Sequence, residues 1–422
     1  MANRALSCHH AGNVGTAFDS LASLLRRAVE RLDHRLVGVS RRVQYAVVAL
    51  TAVSMTWPAL PWVPQPVIDY SRVPLLRSIP QPATYGTDTI ADAYEARVVL
   101  HDPRDMYVKR EVPQTPEEAR TWSKPASAPY PPAVLLVEAA LLRLAGGSRR
   151  GFYLAILGLA VVFMALSLRY FLRTRWYLFP LLYLNFTYIG QRLVSVQDGS
   201  YVVMLVTVVL ALVIARTRRA LADALMAVAI TMKLSPLFYL VEIPRMRLRA
   251  AVVFIAILVT GFLLPCVFLE NYLYIYGFAA TLKGSAATRV AAAAATVPFA
   301  AVLWYIEARR SFDLEERIGW ALVPGALYFA IRMNVARHLL LVLLVPDKRA
   351  WRNVAAALAL GLYTIFPRVI RLGSTIPIAT VVLVGALAAN LYAIGWKTMR
   401  SDLRHPLRVV RLLTGHTSPV SA

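Results

Sequence analysis

The chain has 422 residues, 58% of them hydrophobic, with a mean hydropathy of +0.55; a soluble domain of that make-up would lack the polar surface to cover itself, which places the sequence in a bilayer. Its net charge of +23 does not point to nucleic acid, because the 46 Lys and Arg sit in short clusters between apolar runs and form no basic face with interleaved aromatics. Two cysteines, Cys8 in the N-terminal tail and Cys266 in an apolar run, give neither a disulfide framework nor a metal site.

Residues 1–43 form a basic tail with seven arginines, expected to stay cytoplasmic. Phe18, Leu21, Leu25, Val29, Leu32 and Leu36 recur at helical spacing, so the tail reads either as an amphipathic helix on the inner leaflet or as a loosely ordered basic segment. The first apolar run, Tyr45 to Val63, has no small-residue cleavage pattern and is long enough to cross once as a retained anchor. Residues 64–131 then fall on the external face. They hold nine of the chain's 23 carboxylates, which makes this loop the first place to look for acid–base chemistry.

Further spans are expected at 132–147, 151–169, 177–193, 200–215, 220–241, 250–268, 289–306, 319–332, 336–346, 353–367 and 375–394, followed by a cytoplasmic tail at 397–422. The fold class is therefore an all-α, polytopic integral membrane protein of about 11–13 transmembrane helices, with short helices in the external loop. It divides into the tail (1–43) and a single membrane domain (44–422). Strict alternation conflicts with the charges: if 132–147 crosses inward, Arg169, Arg173 and Arg175 end up outside, and Lys233 to Arg249 is basic at both ends of a segment open to breaks at Pro236 and Pro244. The segment near Lys233–Pro236 is expected to be a broken or re-entrant helix, which a membrane tolerates where backbone lines a cavity. No internal repeat of the transporter kind is evident.

Within the external loop, Asp88 and Asp92 stand four apart and share a face if the segment is helical, with Ala96, Val99 and Leu100 as an apolar side suited to the bilayer surface. A partly desolvated carboxylate there suits a general base; helix capping is the alternative role. Tyr130-Pro131-Pro132 opens the second span. Lys233, in an apolar stretch, either serves a pathway or snorkels to the interface. Arg332, Asn334, Arg337 and His338 interrupt two apolar runs as a loop or as cations facing an anion. Tyr272, Tyr274 and Tyr276 form an interfacial belt or line a groove, and Ala292 to Ala295 suit close helix packing.

In order, these features are Asp88, then Glu95-Ala96-Arg97-Val98-Val99-Leu100, Asp105-Met106-Tyr107, Tyr130-Pro131-Pro132, Gln197-Asp198-Gly199 and Lys233-Leu234-Ser235-Pro236. The order resembles bacterial polyprenyl-phosphate-mannose-dependent mannosyltransferases, glycosyltransferase family 87 of the GT-C superfamily. The resemblance covers about residues 45–245 and is weaker over 246–396. It departs in the aromatic residues expected after the first Asp, which leaves Asp88 and Asp92 as alternative counterparts. It departs again in the Gly-Gln turn, for which Gly190-Gln191 competes.

The resemblance implies a GT-C-like fold and an inverting sugar transferase of the bacterial plasma membrane, with an external active site and no metal or cofactor. The donor would be a polyprenyl-phosphate sugar, mannose by family default, and the acceptor a lipid-linked or cell-envelope glycan. Asp88 or Asp92 would be the base; Lys233, Tyr130, Gln197, Arg332 and His338 would bind substrate. A transporter or flippase of lipid-linked glycan intermediates is the alternative, and a noncatalytic membrane scaffold a third.

Overall fold

A computed structural model describes residues 20, 23–24, 27–28, 30–56, 87–107, 131–173, 175–179, 199–269, 272, 286–310, 312–333, 371–372, 376–377, 391, 394–405, 407 and 411. The expected spans at 177–193, 336–346 and 353–367 lie wholly or mostly outside those residues, as does most of 375–394. Among the described residues the chain is helical, apart from a two-residue antiparallel pairing of Arg371–Leu372 with Ile376–Pro377.

Among the described residues, three helices are long and apolar enough to cross a membrane: Arg149–Arg173 (α4 below), Leu248–Phe268, and Arg289–Arg310 within the longer Ala286–Arg310 (α9). At 25 residues, α4 is about 37 Å long, more than the roughly 30 Å hydrocarbon core. The Leu248–Phe268 span displays Leu248, Val252, Val253, Leu263, Val267 and Phe268, each at least half exposed. A contiguous apolar surface of that size suits lipid and not water.

The expected span at 132–147 is instead a 13-residue helix, Pro132–Leu144 (α3), about 20 Å long and too short to cross. Pro132 at its first position supplies a preset φ and lacks only an N–H that has no helical partner there. Gly146 and Gly147 end it with φ of 64° and 73°, their N–H groups donating to the carbonyls of Arg143 and Leu142. The chain turns back at once into α4, which leaves Arg143, Arg149 and Arg150 at one end and carries the chain to the other. Arg169, Arg173 and Arg175 come to the same end of the molecule as the N-terminal segment, where Arg175 pairs with Asp33 at 2.9 Å and the Trp176 indole donates to the Leu36 carbonyl. Residues 30–37 are helical and docked on the protein at that point.

Helix α1 (Arg41–Thr56) starts at this end, with the Arg41 guanidinium donating to the Leu172 carbonyl at 3.4 Å. Helices α5 (Gly199–Ile214) and α6 (Arg219–Met232) form a hairpin whose turn is also there: Arg216 pairs with Glu315, at the start of α10 (Leu314–Met333), at 2.6 Å. The α-helix stops at Met232. Lys233 is extended (φ −157°, ψ 135°), and Ser235–Arg245 runs back as a 3₁₀ helix. Pro236 is the cause: its ring clashes with the carbonyl four residues earlier and it has no N–H to bond it. The break expected near Lys233–Pro236 is present, and the segment 220–241 is two elements.

The return stroke is held by charge. Glu242 accepts from Arg245 at 2.9 Å and from Arg317 of α10 at 3.0 Å, while Glu307 of α9 accepts from Arg245 and faces Arg317. All four side chains are largely buried. Nearby, the Tyr239 hydroxyl donates to Asp223 at 2.7 Å. Arg309 of α9 and the Tyr305 hydroxyl both donate to Asp402 on the last described helix, α11 (Trp396–Arg404). Higher up, Gly325 of α10 lies against Ser235, and a Cβ on it would sit 2.0 Å from the Ser235 carbonyl oxygen.

Helix α7 (Leu248–Leu258) passes through one π turn (Val259–Leu263) into α8 (Leu264–Phe268). The wider turn relieves the clash Pro265 would make with the carbonyl four residues before it.

Two outcomes follow. Gly325→Ala forces the 3₁₀ segment off α10 and costs at least about 1–3 kcal/mol, whereas Gly158→Ala, with nothing within 4 Å of its new Cβ, is neutral or slightly stabilising. Glu242→Gln leaves two arginines sharing one carboxylate and costs about 3–5 kcal/mol. Unfolding midpoints of the purified full chain measure both.

Candidate functional site

Among the described residues the ion pairs gather at one end of the molecule together with Arg169, Arg173 and Arg216, and the residues singled out for chemistry lie toward the other, where Arg143, Arg149 and Arg150 also sit. Helix α2 (Thr87–His101) contains both Asp88 and Asp92, one turn apart as their spacing requires. Its Ala93, Ala96 and Val99 pack on Leu135, Ala139 and Leu142 of α3 and on Phe152 and Ile156 in the first turns of α4. The apolar side expected on the bilayer surface is thus mostly buried against protein, and only Leu100 remains exposed. The level is fixed by α4: Phe152 is near its start and Arg169 near its end, about 25 Å along the axis.

Asp92 is 1% exposed, Glu95 5% and Glu138 0%. Three buried carboxylates on two packed helices are expensive to desolvate, and each interacts with a neighbouring group. Capping does not account for Asp92, which sits past the first turn. Enclosure also keeps a substrate hydroxyl from it. Asp88 lies in the first turn of α2, and its side chain is outside the described residues.

Lys233 is half-buried at the end of α6, about 21 Å along that helix from Arg219 and so toward the α2 end. Its neighbour Met232 and Val134 of α3 belong to the same core cluster. Arg332 is in the last turn of α10, at the far end from the Glu315–Arg216 pair; its side chain is outside the described residues. Gln197 is two residues before the start of α5 in sequence, and Tyr130 one before the N-cap of α3; both lie outside the described residues, as does His338. Asp102, in the loop after α2, accepts the Arg104 N–H at 2.8 Å in a local turn.

The aromatic belt reading fails for Tyr272. It is buried, with its ring 5.3 Å from that of Tyr107, and it joins the cluster that holds α2. Tyr274 and Tyr276 are outside the described residues. Of the Ala-rich run, Ala292 is packed and the three that follow are exposed. Among the described residues, no group of three or more His, Cys, Asp or Glu is arranged to hold a metal ion.

Sequence reasoning passed over Glu138. It is the only acidic residue in the apolar run of α3, and the rule that singled out Lys233, an ionisable group in a hydrophobic segment, applies to it equally. Comparison of the chain with protein-family models, curated proteins and solved structures gives no match.

Burial holds the Tyr272 phenol up at about 12, with the nearby Cys266 adding to the shift. An unfolded tyrosine ionises near 10, so the folded state keeps this proton longer than the unfolded state does. Its stabilising contribution is complete below about pH 10 and is lost as the pH rises to about 12. Tyr272→Phe removes the ionisation. Compared from neutral pH upward, the unfolding midpoint of wild type should fall relative to that of the variant over that window, and parallel midpoints would rule the titration out.

Proposed function

We propose that this chain is an integral-membrane, inverting glycosyltransferase of the GT-C type, using a polyprenyl-phosphate sugar donor and a lipid-linked or cell-envelope glycan acceptor. Mannose is the sugar that the resemblance to glycosyltransferase family 87 suggests. The observation that carries the reading is the clamping of α2, with its two aspartates, at the end of the molecule remote from the ion pairs and toward which Lys233 and Arg332 also lie. By the bias of Lys and Arg toward the cytoplasm, the arginine end is the inner one in the bacterial plasma membrane, both termini are cytoplasmic, and α2 is external.

Asp88 is the base in this reading, because Asp92 is enclosed between helices. The Asp88 carboxylate takes the proton of an acceptor hydroxyl as that oxygen attacks the anomeric carbon. The bond from that carbon to the phosphate oxygen breaks from the opposite face, and the lipid phosphate leaves with the electron pair. Lys233 and Arg332 stabilise the charge that collects on it. Asp92 is a positioning residue, holding the turn of α2 that carries Asp88.

Membranes containing the full chain, supplied with radiolabelled polyprenyl-phosphate mannose and a glycan acceptor, test the proposal. Asp88→Asn should lower transfer by about 10²–10⁴-fold at unchanged protein level. Asp92→Asn should reduce folded protein more than turnover per folded molecule. Equal transfer by wild type and both variants would sink the enzyme reading, and movement of the donor across the bilayer without transfer would favour a flippase.

A further inference from the structure

At the end opposite α2, four guanidinium groups rim one groove. Arg41 comes from the first turn of α1, Arg169 and Arg173 from the last turns of α4, and Arg216 from the turn between α5 and α6. The groove encloses about 790 Å³. Its floor is apolar: Ala165, Leu168 and Leu172 fall at three- and four-residue spacings with the two α4 arginines, hence on one helical face. Tyr45, one turn above Arg41, completes the wall.

The charge here is mostly uncompensated. Arg216 is bound to Glu315, and Asp33 is engaged by Arg175 beside the groove. Among the described residues, Arg41, Arg169 and Arg173 have no carboxylate partner, and Arg41 spends one N–H on the Leu172 carbonyl. All four arginines are exposed, so the cluster is tolerated by hydration and needs no bound anion to fold. It is nonetheless a strong anion site, because several guanidinium forks converge on one space.

What distinguishes the groove from a phosphate site in water is what lies beyond it. Toward the middle of the molecule the α4 wall continues as exposed apolar side chains, Val161 four residues before Ala165 and Val162 seven before Arg169. A cationic rim above an apolar track fits a molecule with a phosphate head and a hydrocarbon tail. We propose that this groove binds an anionic phospholipid of the leaflet at the arginine end, its headgroup phosphate among Arg41, Arg169 and Arg173 and an acyl chain along α4. The lipid ties α1 to α4 and to the α5–α6 turn. The site is separate from the one assigned to sugar transfer and stands whether or not that assignment does.

Native mass spectrometry and thermal unfolding of the full chain in neutral detergent test this, with phosphatidylglycerol, phosphatidylcholine and inorganic phosphate added separately. Wild type should retain phosphatidylglycerol and gain thermal stability from it, and gain nothing comparable from phosphatidylcholine or phosphate. The double change Arg169→Gln/Arg173→Gln should weaken retention by about tenfold or more, since each basic residue at an anionic surface counts for about a fivefold step. Arg143→Gln, exposed at the other end, should leave it unchanged. Equal retention of phosphatidylcholine, a stability gain reproduced by phosphate alone, or full retention by the double variant would each overturn the proposal. The headgroup comparison needs only wild type, so it decides even where the double variant fails to fold.

Discussion

The arrangement of helices depends on the buried cluster of Glu242, Arg245, Glu307 and Arg317. In a bilayer, apolar helix faces gain little by leaving lipid for each other, so close packing and polar ties must set which helices meet and in what register. This cluster joins the 3₁₀ segment, α9 and α10 at one level. Without it the chain leaving Lys233 would have no fixed return path, because a 3₁₀ helix of 11 residues has poor hydrogen-bond geometry and little stability of its own. Two carboxylates against two guanidiniums leave no net charge to desolvate, which makes burial of the set tolerable where burial of one member is not.

The same device recurs around this end. Arg216 with Glu315, Arg175 with Asp33, and Arg309 with Asp402 each attach a neighbouring element to a transmembrane-length helix or to the bundle beside it. The basic clusters that look in sequence like orientation signals alone are therefore also joints. Their acidic partners come from far along the chain: Asp33 meets Arg175 across 142 residues and Asp402 meets Arg309 across 93. Arg41, Arg169 and Arg173, which have no carboxylate partner among the described residues, rim the proposed lipid groove together with the paired Arg216.

Helical character, the break at Lys233 and the helix bearing Asp88 and Asp92 were legible in the sequence, because each rests on a local signal: hydrophobic runs, a proline four residues after a carbonyl, and a repeat of apolar residues at helical spacing. The crossing assigned to 132–147 was not, since its apolarity reads the same whether the helix spans or packs on another. Only the paired glycines at 146 and 147, which stop it after 13 residues, carry that information. Tyr272 was misjudged for a related reason. An aromatic row near a membrane boundary looks like a belt until a partner such as Tyr107, far away in sequence, is known to cover one member. Glu242, Glu307 and Asp402 gave no signal at all, because an ion pair is a property of two positions and sequence displays them singly.

This division of labour bears on where chemistry can happen. A base needs a fixed position and access to substrate, and in α2 these demands fall on different turns. The turn holding Asp92 is enclosed by α3 and α4, which fixes the helix and closes that carboxylate to a bulky glycan. The turn holding Asp88 is the helix start, the part of an α-helix with the fewest internal hydrogen bonds and N–H groups that favour a carboxylate in its charged form. The proposed general base, Asp88, would thus stand on a helix anchored one turn further along. Burial of Asp92 is thus an argument for Asp88, provided the helix is held as a rigid piece, and the Tyr107–Tyr272 contact at its far end supplies that hold.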